Sequence, residues 1–418
     1  MSHHILFAFL VLSAFACKDR DRASAGSESA LALSGDSAPG SAISARNYRS
    51  VAEKVVAQSA GVKHGDLVLI AGTDEDLPLL EDIAVEVRKR GASPLVSVGT
   101  EQLRRRLYDE VPAQYDSQTP AMINKLAAVV DVIILTESDE GRTLQGVPPA
   151  RIAAQATAFA PVAELMRKRG VRTVALGNGL YPSAERAEQF GISREELANL
   201  MYGGVDADYN DLQATGQRVR KLLAAGRELR ITNANGTDFR VAISGRPITV
   251  NDGIISADDR KKGGAATSVW LPAGEVYLTP VPGTGDGVVV ADRFFYQGKP
   301  IEALRLEFRG GKLTAMTAKD GLEPLQAAYA AAGPGKDVLG VIDIGINPAI
   351  KSPERSPLHV WGKAGTVTVM VGNNTWAGGD NDVSFGLPAY SPGSTVTVDG
   401  KPLVQNGKLV ATESVAGR

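Results

Sequence analysis

The chain of 418 residues carries 45 basic and 47 acidic side chains, a net charge of -2, so no excess of either sign points to nucleic acid or to a strongly anionic surface. At ~100 to 200 residues per domain, this length suits about two domains plus a tail. The single cysteine, Cys17, excludes an intramolecular disulfide framework and any structural metal site built from paired cysteines.

Residues Ile5 to Leu12 form a short apolar core, followed by Ser13-Ala14-Phe15-Ala16-Cys17 with small residues where a signal peptidase cuts. The run falls well short of the ~20 residues that span a bilayer, so residues 1–16 read as a cleaved signal peptide. Ala14-Phe15-Ala16 fits an A-x-A site of a freely secreted protein, whereas Cys17 after a small residue resembles a bacterial lipoprotein signal. The position of the only cysteine favours the second form and makes Cys17 the lipid anchor. Residues 17–45, rich in Ser, Ala and Gly, read as a disordered tether. The expected location is the bacterial cell envelope, with the membrane touched only through that anchor.

Residues 46–227 alternate helical and strand patterns, the rhythm of an α/β domain with a mostly parallel sheet. Helices are expected at Arg46 to Ala60, Leu77 to Arg90 and Ala150 to Arg169. Strands are expected at Asp66 to Ala71, Pro94 to Val98, Val130 to Thr136 and Arg172 to Leu176. Gly72-Thr73-Asp74 and Gly177-Asn178-Gly179 follow strands, but neither forms a G-x-G-x-x-G or Walker sequence, so tight turns explain them better than a nucleotide. Further helices, Ser183 to Tyr202 and Asp206 to Ala225, bridge to the second half. Residues 228–418 then show short alternating strands with Gly and Asn turns, a mostly antiparallel α+β domain with one helix at Leu322 to Ala332.

Within that half, Val269 to Pro280, "VWLPAGEVYLTP", reads as a buried strand that carries one carboxylate, Glu275. A buried charge needs a partner, and the plainer alternative is a solvent-facing glutamate on an edge strand. Trp270, Trp361 and Trp376 each read most simply as core residues.

Several motifs in order, "GVKHGDLVLIAG", "RKRGAS", "NANGTDFRVAISGRP", "LPAGEVYLTP", "IGINP", "GNNTWAGGDN" and "VTVDGKPLVQNGK", resemble the metal-dependent aminopeptidase family typified by thermophilic aminopeptidase T. The resemblance implies the family's fold, a homodimer, a peptide substrate or ligand, and two metal ions held by two glutamates, two histidines and an aspartate. Such a metal pair activates a water and clamps the developing oxyanion, and it needs enough donors for both ions. Carried over position by position, the first glutamate falls on Glu275 and the second on Val341. Asp343 stands two residues later, on the same strand face and displaced by ~7 Å of rise. The first histidine falls on Thr368, and the final His-x-Asp pair on Gly386 and Pro388.

Of four histidines, His3 and His4 lie in the leader and His64 in the first domain. His359, in "SPLHVWG", remains as a candidate ligand, with a packed or solvent-exposed histidine as the alternative. The candidate metal set is therefore Glu275, Asp343 and His359, with Asp380 and Asp382 as a substitute pair, which leaves one hard divalent ion or none. No catalytic residue can be named from these positions. Two functions follow: an exported metallopeptidase that removes N-terminal residues from peptides, or a non-catalytic relative that binds a peptide or envelope component in the old cleft. A metal-free hydrolase has little support, because there is no G-x-S-x-G elbow and few histidines to act as bases.

Overall fold

The computed structural model describes residues 48–137, 143–297, 299–351 and 360–410. Cys17, its leader and the whole of the tether, together with His359, lie outside the described residues. From Tyr48 onward the chain gives α1 (Arg49–Lys54), β1 (Leu67–Thr73), α2 (Leu77–Lys89), β2 (Ser93–Gly99), α3 (Glu101–Glu110), α4 (Ala121–Ala127), β3 (Val132–Thr136), α5 (Pro149–Arg169) and β4 (Arg172–Leu176). Three helices follow, α6 (Ala184–Phe190), α7 (Arg194–Val205) and α8 (Tyr209–Ala225). The expected fold class is what is found: an α/β part with a parallel sheet, then antiparallel sheets.

The inner strands of that first sheet are apolar on both faces because helices cover both. Val68, Ile70, Val132, Ile134, Val174 and Leu176 meet α1, α2 and α7, while Leu69, Ile133 and Leu135 meet α4 and α5. Helices α3 and α4 were absent from the expected pattern. In α3 the surface is tied by Arg105–Asp109 and Arg106–Glu110 pairs one turn apart, so little apolar periodicity marks it.

The second half contributes β5 (Glu228–Thr232), β6 (Asp238–Ala242), β7 (Ile248–Asn251), α9 (Ala257–Lys262), β8 (Ser268–Leu271), β9 (Glu275–Leu278), β10 (Asp286–Tyr296), β11 (Lys299–Arg309) and β12 (Lys312–Thr317). It ends with α10 (Glu323–Ala331), β13 (Leu339–Gly345), β14 (Val367–Gly372), β15 (Gly386–Ser391), β16 (Thr395–Val398), β17 (Lys401–Gln405) and β18 (Lys408–Leu409). Helix α9 joins α10 where the sequence pattern gave only one helix. An eight-stranded sheet in the order β12-β11-β10-β6-β5-β16-β17-β18 packs on a five-stranded antiparallel sheet ordered β15-β14-β13-β9-β7. Val276, Leu278, Ile342, Ile344, Val367, Val369 and Val371 fill the space between them. The other face of the five-stranded sheet turns toward the parallel sheet.

The stretch from Val269 to Pro280 is not one strand but two. β8 runs parallel beside β4 as the fifth strand of the first sheet, and β9 runs antiparallel between β13 and β7. The break falls at Pro272, which has no N–H to donate, and at Gly274, whose φ of +124° suits glycine alone. A Cβ on Gly274 would also lie 2.4 Å from the Cβ of Asn347. Asn347, from "IGINP", donates through Nδ2 to the Ala273 carbonyl at 2.6 Å and to the Gly204 carbonyl at 3.0 Å. The chain is thereby turned from one sheet into the next, and Glu275 opens the second.

Candidate functional site

Cross-strand pairing defines the site. Thr249, Tyr277, Asp343, Thr368 and Tyr390 stand directly opposite one another across β7, β9, β13, β14 and β15. The next row holds Asn251, Glu275 and Gly345, and the row on the other side holds Val341, Met370 and Pro388. Residues opposite each other, or two apart along a strand, share a face. Tyr277, Val341 and Met370 accordingly belong to the apolar cluster that also contains Trp270, Trp361 and Phe159.

From the parallel sheet, the carboxyl ends of β3 and β4 bring Glu137 and Asn178 to the same place, as expected for ligand sites in such sheets. Asn178 donates through Nδ2 to Glu275 Oε1 at 2.8 Å and to the Pro272 carbonyl at 3.0 Å. Asn251 donates through Nδ2 to Glu275 Oε2 at 3.0 Å and to the Trp270 carbonyl at 2.9 Å. Glu137 Oε2 accepts from the Gly179 amide at 3.2 Å. At Gly177, φ is +140° and a Cβ would come 2.7 Å from Glu137, so only glycine lets this carboxylate lie against the turn.

Burial disfavours the charged form of all three carboxylates. It pushes Glu275 up to about 7, against the pull of the two asparagine amides, and the charge of Glu137 adds to the rise. Asp343 is raised well above the ordinary range, first by burial and then by Glu275. Glu137 is raised by burial. The wall around them is aromatic: Trp376 lies 5.3 Å from Tyr277, 5.5 Å from Trp270 and 6.4 Å from Trp361, and Trp361 lies 5.3 Å from Tyr390.

The structure therefore places the expected Glu275 and Asp343 on one face of adjacent strands, while His359 lies outside the described residues. Asp380 and Asp382 are exposed. The "GNNTWAGGDN" segment around them is a loop scaffold in which Asn374 Oδ1 accepts from the Asn381 amide at 2.8 Å and Asn373 Nδ2 reaches the Val383 carbonyl at 3.2 Å. Two of the tryptophans fit the core reading, Trp270 and Trp361 being buried, whereas Trp376 is half-buried. Asn178, Asn251 and Glu137 were not anticipated as site residues. Asn178 and Glu137 carry one readable signal, a polar side chain within two residues of the end of a parallel strand.

A family profile described as Thermophilic metalloprotease (M29) matches residues 44–342. The chain belongs to that family. Among solved structures, it is similar to wild-type AmpT from Thermus thermophilus, at 17% identity and a TM-score of 0.64, over 87% of this chain and 99% of that one. It is also similar to 2,5-dihydroxypyridine dioxygenase from Pseudomonas putida KT2440, at 14% identity and a TM-score of 0.57, over 88% and 97% of the two chains. At these identities the likeness concerns the fold. No curated protein matches the sequence.

Membership makes a divalent metal plausible, so the donors of this M29 protein can be tested against one. Val341, Thr368 and Pro388 lie on the site face and Gly386 at the end of its edge strand, yet none brings a carboxylate or an imidazole. Each oxygen of Glu275 already accepts from an asparagine amide. Among the described residues, no group of three or more His, Cys, Asp or Glu side chains could hold a metal ion. A dinuclear centre does not fit this donor set.

Proposed function

We propose that this M29 member is an aminopeptidase-like binding protein that keeps the family's cleft for a peptide-type ligand and has given up two-metal hydrolysis. One observation carries the reading: the face that holds Glu275 has valine, threonine and proline where the resemblance calls for metal donors, and Glu275 itself is committed to Asn178 and Asn251. A metal pair is what generates a hydroxide and clamps a tetrahedral oxyanion in a dinuclear peptidase, and the donors for one are missing from this face among the described residues. The aromatic wall and the buried carboxylates still offer a recognition surface. The competing reading, a metallopeptidase with a single hard ion on Glu275 and Asp343, draws on family membership.

Aminoacyl-p-nitroanilide hydrolysis by the full-length protein, after loading with Zn, Co, Mn or Mg, separates the two. The expected result is no turnover above that of Glu275→Ala. Metal-dependent turnover that Glu275→Ala abolishes would sink the binding reading.

The same proposal puts the protein in the cell envelope, exported by residues 1–16 and held by a lipid on Cys17, with residues 17–45 as spacer. Support comes from the small residues before the only cysteine and from the composition of the spacer. Metabolic labelling with a fatty-acid analogue should mark the wild type and not Cys17→Ala. Equal labelling of both, or of neither, counts against the anchor. A homodimer is expected from the resemblance alone.

A further inference from the structure

Two polar atoms at the centre of the site face are left without any hydrogen-bond partner, Asp343 Oδ1 and Thr368 Oγ1. Their residues are 2% and 0% exposed and directly paired across β13 and β14. A hydroxyl beside a carboxylate ordinarily donates to it, and buried polar groups in native proteins are nearly always satisfied. Here neither atom is satisfied, although the two residues stand side by side on one face of the sheet. The side-chain oxygens Asn178 Oδ1 and Asn251 Oδ1, on the two amides that hold Glu275, also lack partners, as does the indole Nε1–H of half-buried Trp376, whose ring lies 5.3 Å from that of Tyr277, the neighbour of Asp343 in the same row.

Resting on the reading that the cleft binds rather than hydrolyses, we propose that Asp343 and Thr368 receive the primary ammonium group of a small organic ligand. In the same arrangement, Trp376 donates to a carbonyl or hydroxyl oxygen of that ligand.

The chemistry of the row selects this class. A carboxylate with a free oxygen and a hydroxyl with a free lone pair call for a donor, and an ammonium is three donors with no acceptor. A cation also supplies the countercharge that burial denies Asp343. Tyr277 flanks Asp343 and Tyr390 flanks Thr368, and aromatic faces attract organic cations. A hard divalent ion takes six or more oxygens, whereas the next residues on this face are Val341 beside Asp343 and Met370 beside Thr368, with both Glu275 oxygens bonded to amides.

Isothermal titration of the full-length, chelator-treated protein tests the assignment with leucinamide, N-acetyl-leucinamide, n-butylammonium, tetramethylammonium, and calcium, magnesium and zinc ions. Leucinamide should bind. Acetylation of its amine should abolish binding, and tetramethylammonium, a cation without N–H donors, should bind at least about tenfold more weakly than n-butylammonium. Asp343→Asn and Thr368→Val, both close in shape to the originals, should each weaken leucinamide by about tenfold or more. Trp376→Phe should weaken leucinamide and leave n-butylammonium unchanged.

Equal binding of the acetylated compound, indifference of leucinamide to both Asp343→Asn and Thr368→Val, or binding of a divalent ion alone would overturn the assignment. If leucinamide fails to bind and no peptidase turnover is found, the ammonium site falls and the binding reading stands. If metal-dependent turnover is found while chelator-treated protein still binds leucinamide through Asp343, the binding-only reading falls and the ammonium site stands.

Discussion

At Glu275, burial and hydrogen bonding act in opposite directions. Burial raises the carboxyl, the amides of Asn251 and Asn178 lower it, and the balance with Glu137 nearby leaves it at about 7. Below the ordinary carboxylate value, folded and unfolded chains both hold the proton and there is no penalty. Between that value and about 7 the folded state keeps a proton that the unfolded chain releases, so stability falls as pH rises through this window. The loss is on the order of 3 kcal/mol, at ~1.4 kcal/mol per pKa unit. Glu275→Gln carries no such titration. In urea titrations its stability relative to the wild type should therefore rise by about 2 to 3 kcal/mol between about pH 5 and pH 8. A difference that stays flat across this range would mean that the Glu275 carboxyl keeps its ordinary value.

Elements set where these side chains stand, and one network does so for the parallel sheet. Asp76, in the turn after β1, accepts from the Thr73 amide and the Thr73 hydroxyl, both at 2.9 Å, and from the Thr136 and Tyr181 hydroxyls, both at 2.6 Å. It thus ties the ends of β1 and β3 to the loop after β4, which are the segments that deliver Glu137 and Asn178. Asp76→Ala would leave several buried donors without their acceptor, at a cost of about 2 to 4 kcal/mol. The check is a lower urea midpoint with an unchanged slope; a shift under ~0.5 kcal/mol would show that water replaces Asp76 in the network. The strands and long helices of this half were legible because apolar residues recur with the right period. Helix α3 was not, since its stability rests on charged pairs rather than on a buried stripe.

At the scale of the whole molecule, the candidate site joins segments from both halves. Asn178 and Glu275 are 97 residues apart in sequence, and Asn251 and Glu275 are 24 apart. They meet because β8 crosses to the parallel sheet and the turn at Pro272 to Gly274 sends β9 into the antiparallel one. The α/β rhythm, the antiparallel second half, the family resemblance and the interest of Glu275 and Asp343 were all determined by the sequence itself. Those features are written in local periodicity, in ordered motifs and in the rarity of carboxylates within apolar strands. Only the tertiary structure decided that Glu275 is met by two asparagines, that "VWLPAGEVYLTP" is shared between two sheets, and that Asp343 and Thr368 stand opposite each other with Oδ1 and Oγ1 unsatisfied. Register and crossover are long-range choices: the sequence specifies which residues seek burial, and the pairing of distant strands specifies which of their polar atoms meet.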